Sequence, residues 1–163
     1  MDIGAECRKL EALARSRPNA KTRAAVLAGL QSKWEGVQVH AGRVLAAWAD
    51  PESVSALREW LVSSLKKEAG WSVVGQAVEF LRKAHSPGDL LWMLDIFFSQ
   101  TDELKRHDLL PLTDCAPPGV LRERAAREIK SGDPNRAEAA RVALTRLNSR
   151  ETESYNKALN SDG

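Results

Sequence analysis

VQVHAGRVLAAWADPESVSALREWL, residues 37–61, decides the fold. Its first half places Val37, Ala41, Val44, Leu45 and Trp48 at the i, i+4, i+7, i+8, i+11 spacing of one helix face. Its second half repeats the pattern with Val54, Leu57, Leu61 and, just beyond, Leu65. Between them lies Asp50-Pro51. Proline cannot continue a helix but fits the first turn of the next, where its missing N–H costs nothing. Asp50 before it can accept the free backbone amides of that turn. One step therefore ends a helix and starts another, and so short a connection folds the two into an antiparallel pair.

The same break recurs outward along the chain, at Pro18, Pro87 and Pro134. Ser86 and Asp133 stand where Asp50 does. The four prolines are 33, 36 and 47 residues apart. Trp34 and Trp71 also repeat, each opening the helix before a break, and the spacing predicts both as packing residues. Further helical stripes run through Val74, Val78 and Leu81, through Leu121, Ala125 and Ile129, and through Ala137, Ala140, Leu144 and Leu147. Residues 90–98, LLWMLDIFF, are apolar nearly all round. No period-two alternation bounded by hairpin turns appears, so strands are not expected. Two-helix units at periods in the thirties and forties mark an α-solenoid. Residues 100–119 read as an insertion with a short helix near 102–109 and a Pro-rich loop. Residues 149–163 lack an apolar stripe and read as a loose tail.

These features resemble HEAT repeats of the short bacterial kind. The segments Val37–Leu61 and Val74–Leu94 carry the resemblance. Residues 18–33 and 118–147 follow it by shape. Where that family often has Arg after the first apolar residue of the unit, this chain has Gln38 and Gly75. The resemblance implies an all-α, right-handed superhelix of about four helical hairpins, spanning 1–148 as one domain. It implies binding to a macromolecule on a concave face lined by the second helices, 19–31, 52–67, 89–99 and 135–148. Most of the family are scaffolds and binders; a few are enzymes, including DNA glycosylases that hold alkylated DNA in a basic groove.

Composition agrees with a soluble interaction module. Of the 163 residues, 43% are hydrophobic and 28% charged, values ordinary for a folded protein. No apolar run reaches membrane-spanning length, and no h-region opens the chain, so a cytoplasmic protein with no membrane partner is expected. Cys7 and Cys115 lack metal or redox spacing and read as free thiols. The three histidines, His40, His85 and His107, lack partners at metal spacing. No phosphate loop, nucleophile elbow or dinucleotide fingerprint is present. No enzyme activity, cofactor or metal is therefore expected.

Two surfaces remain as candidates. The first binds another protein through Trp60, Trp92, Met93 and Ile96, with Arg58, Lys66 and Lys67 on its polar rim. It rests on Leu91, Leu94 and Phe98 turning inward, which leaves Trp92, Met93 and Ile96 on other faces. The second reflects uneven charge: residues 1–33 hold seven basic and three acidic side chains, and 118–150 hold eight and four. Arg122, Arg124, Arg127, Arg136, Arg141 and Arg146 of the basic C-terminal pair suit phosphate, as in nucleic-acid binding of the DNA-repair type.

Overall fold

The computed structural model describes residues 2–67 and 71–161; side-chain surroundings of 71, 72 and 159–161, Trp71 included, lie outside the described residues. Every regular element among them is helical, so the chain is all-α. Packing divides it into two compact units, Met1–Asp89 and Leu90–Gly163, where the sequence leads one to expect a single domain over 1–148.

The first unit contains α1 (Ile3–Leu13), α2 (Ala20–Leu30), α3 (Glu35–Trp48), α4 (Pro51–Lys66) and α5 (Trp71–Ala84). Helix α3 is the hub, packing on all four others, so α1, α3 and α5 form a row over which α2 and α4 lie. Each covering helix leans on the next helix of the row: α2 packs more on α3 than on α1, and α4 more on α5 than on α3.

The proline steps do what their chemistry predicts at Pro51 and Pro134, while Pro18 stands one residue before the cap of its helix. Asp50 Oδ1 accepts from the Ser53 amide at 2.8 Å, with Pro51 in the first turn of α4. Asn19 supplies the cap after Pro18 and forms a reciprocal capping box with Thr22. In the second unit Asp133 Oδ1 accepts from the amides of Asn135 and Arg136. Pro87 is different. It opens a 3-10 turn, Pro87–Asp89, and Ser86 donates from both its amide and its hydroxyl to Asp89 Oδ2 at 2.8 and 2.9 Å. Ser86 is thus a donor rather than a cap.

Trp60 is a core residue, 4% exposed. Its ring stacks on Phe80, centroids 6.4 Å apart, and its Nε1 donates to Gln38 Oε1 at 3.2 Å. Gly42 makes room for both rings: a Cβ there meets Trp60 at 2.7 Å and Phe80 at 2.9 Å. Trp48 fastens α3 to α1, its Nε1 donating to the carbonyls of Ser16 at 2.9 Å and Leu13 at 3.3 Å. Trp34 stands at the N-cap of α3 and is 42% exposed, so it is not the packing residue its repeat predicts.

The second unit contains α6 (Leu90–Phe98), α7 (Glu103–Leu109), a 3-10 segment (Leu110–Cys115), α8 (Pro118–Lys130) and α9 (Pro134–Ser161). Helices α8 and α9 form an extensive pair across a turn where Gly132 has φ 79°. Much of 100–119 is helical, including the part of the expected Pro-rich loop up to Cys115. Helix α7 follows the expected boundaries, and Leu109, Leu112 and Thr113 are buried. The 149–161 segment is not a loose tail either; it continues α9, with residues 148–158 exposed.

Helix α6 is rotated relative to expectation. Met93, Leu94, Phe97 and Phe98 point inward, and Leu91 is 66% exposed. A face must follow i, i+1, i+4, i+5 here because Asp95 turns outward to Arg124, 2.7 Å from its guanidinium. On α8 the buried stripe is Leu121, Ala125 and Glu128, while Ile129 is 43% exposed. A carboxylate is tolerated there because Arg124 and Arg136 donate to Glu128 at 2.6 and 3.1 Å.

Candidate interaction surface

The proposed anchors separate. Trp60 and Met93 are buried, so neither presents a side chain as an exposed anchor. Trp92 and Ile96 are half-buried on α6, in the second unit, whereas Trp60 belongs to the first. Arg58 donates to Asp89 Oδ1 at 3.3 Å. Of the polar rim, Lys66 and Lys67 remain exposed.

The basic C-terminal pair is already neutralised. Arg122 pairs with Glu151, Arg127 with Glu123 at 4.0 Å and Arg141 with Glu138 at 3.0 Å. Arg124 bridges Asp95 and Glu128, and Arg136 bridges Glu128 and Asp133. Arg146 makes a bidentate contact with Asp114, at 2.7 and 2.6 Å. These hydrogen bonds raise the Arg146 guanidinium above its ordinary pKa. Burial pulls Arg124 the other way, but its bonds to Glu128 and Asp95 outweigh it and the net shift is upward. All six arginines therefore have a carboxylate within 4.0 Å, which lowers the positive charge this face offers a phosphate, although Arg127 and Arg141 stay largely exposed.

What the tertiary structure does assemble is a groove on the first unit, 510 Å³ in volume, between α2 and α4. Its walls are Leu27, Ala28 and Gln31 on α2, and Ala56, Glu59 and Lys67 on α4. The buried ring of Trp60 shows only an edge in its floor. The two helices run the same way. Near their starts, Arg23 of α2 reaches Asp50 at 2.8 Å, Glu52 at 3.0 Å and Ser53 at 3.0 Å. Near their ends, Gln31 and Lys67 line the same groove.

The Arg23 contact closes the leading end. Its guanidinium also lies 5.4 Å from the centroid of Trp48. The hydrogen bond to Arg23 pulls Asp50 below the usual carboxylate range, helped by the Ser53 amide and hydroxyl and opposed by burial. The same design recurs one unit on, where Arg58 of α4 reaches Asp89. Burial pushes Asp89 up, but the Ser86 donors with the charges of Arg58 and His85 bring it below its ordinary value.

The α2 wall carries no charge. From Ala24 to Ser32 it holds no charged residue, yet Ala24, Ala25, Leu27, Ala28 and Gln31 are exposed. Sequence periodicity hides this wall, because Ala and Gln between apolar positions look like ordinary helix filler. In the sequence this wall is one of two long uncharged runs, 24–32 and 69–78, and charge alone does not single it out.

Among the described residues no group of three or more His, Cys, Asp or Glu is placed to hold a metal, and no helix is long and apolar enough to cross a membrane. The chain matches no protein-family model, no curated protein and no solved structure.

Proposed function

We propose that this protein is a non-catalytic protein-interaction module: a cytoplasmic adaptor, regulator or inhibitor-type binder built as a HEAT-like, right-handed superhelix. Its binding surface is the groove between α2 and α4. One observation carries this reading: an exposed helix wall without charge, facing an open groove. Depletion of charge at the centre with a polar rim is the composition of a protein interface. The reading moves the surface from the tryptophans to Leu27, Ala28 and Ala56, and retains Lys66 and Lys67 as rim residues.

The test is affinity capture from native cells with the wild-type protein and Leu27→Glu side by side. Leu27 is 36% exposed, so part of its side chain is packed, and a circular-dichroism melt first establishes that the variant is folded at the capture temperature. The expected result is a partner recovered by the wild type and lost by the variant. Recovery of the same partner by both proteins refutes the groove as the binding surface.

A further inference from the structure

We infer that the occupant of the α2–α4 groove is an acidic amphipathic helix of a partner protein, about three turns long. The inference rests on the groove being the interaction surface and adds the chemistry of what fills it. Length comes from the α4 wall. Ala56 to Lys67 spans about 16 Å at ~1.5 Å per residue, the length of roughly three helical turns. Small side chains at Ala28 and Ala56 line the walls, letting a helical backbone approach closely, while Leu27 offers an apolar contact.

Polarity comes from the open end. Lys66 and Lys67 close α4 there, and Lys33 follows the end of α2. Of the exposed basic side chains, Lys67 is the one found in the groove wall among the described residues. Among the described residues, Lys33, Lys66 and Lys67 form no ion pair within 4.0 Å, and Lys33 lies over Trp34, 5.1 Å from its centroid. Lys67 lines that end of the groove with Lys66 exposed beside it in sequence, and Glu59 lies further along the wall. A partner helix is therefore held best with an apolar stripe against α2 and carboxylates at the end reaching Lys66 and Lys67. Nucleic acid fits less well, because an uncharged wall offers a run of phosphates no partner.

The probe is a displayed library of 14-residue helical peptides with randomised charged positions around a fixed leucine stripe. It is panned against the full chain, Leu27→Glu, and the double variant Lys66→Glu/Lys67→Glu. The wild type is expected to enrich peptides with Asp or Glu at one end. The double variant should bind those peptides about tenfold more weakly, the scale of several surface charge pairs lost or inverted. It should also enrich Lys or Arg at the same positions.

Peptides lost with Leu27→Glu but showing no acidic bias overturn this inference and leave the groove reading standing. Enrichment indifferent to Leu27→Glu, or none at all, overturns both. A labelled 20-base-pair duplex is titrated in parallel at two salt concentrations. Salt-sensitive duplex binding that the lysine variant abolishes overturns the inference in favour of nucleic acid.

Discussion

Asp50→Ala tests whether the proline step is held by more than local helix chemistry. The residue has two jobs in the structure. It caps α4 through the Ser53 amide at 2.8 Å, and it receives Arg23 through both carboxylate oxygens at 2.8 and 3.3 Å. Losing a cap costs about 1 kcal/mol. Losing a charge-assisted pair adds about 1–1.5 kcal/mol, the lower part of the range for bonds to charged groups, because the Asp50 side chain keeps 29% of its exposure. The total, roughly 2–2.5 kcal/mol, lowers Tm by about 4–10 °C for a chain of this size.

Asp50→Asn separates the two jobs. Asparagine caps as well as aspartate, so it should lose only the pair, about 1 kcal/mol. Urea unfolding followed by circular dichroism measures each value, and a cycle with Arg23→Ala should give a coupling near 1 kcal/mol. The pH dependence has a definite sign. The folded Asp50 has a lowered pKa, so its contribution is present above the unfolded carboxylate range, near pH 4, and fades as pH falls below it. A coupling under about 0.3 kcal/mol, within the additivity of independent sites, refutes the argument. So does an Asn variant as unstable as the Ala variant.

Two further predictions follow from packing. Gly42→Ala drives a methyl group into the Trp60–Phe80 stack and should cost about 1–3 kcal/mol. Gly75→Ala, with nothing within 4 Å of the new Cβ, should instead gain about 0.5–1 kcal/mol, and paired urea titrations compare them. Glu128→Ala leaves Arg124 and Arg136 without their shared buried carboxylate and should destabilise by about 3 kcal/mol in the same assay; a loss below about 0.5 kcal/mol shows the cluster to be surface decoration.

Much of the secondary structure could be read from residues alone. Val37, Ala41, Val44 and Leu45 are buried as their spacing requires, and α3 and α4 meet at Asp50-Pro51. The short helix near 102–109 appears as α7, capped by Asp102. The site was less legible. By sequence Trp60 is a candidate partner-binding anchor beside Arg58 and Glu59. Nothing local in its sequence shows that Gly42, eighteen positions away, opens a pocket for its ring. Helix α6 is apolar nearly all round, so the expected inward face of Leu91, Leu94 and Phe98 had little to fix it, and the neighbours it packs against turn Met93 inward and Leu91 out.

The sequence by itself determined an all-α chain and where its helices begin, because caps, prolines and helical periodicity act over distances of a few residues. Tertiary structure alone decided which side chains face water and which charges survive. Arg23 meets Asp50 across 27 positions, and Arg146 meets Asp114 across 32. Such pairings cancel charges that look free in one dimension. They also leave Lys66 and Lys67 exposed beside an uncharged wall, because a groove exists only once two helices have been laid side by side on a third.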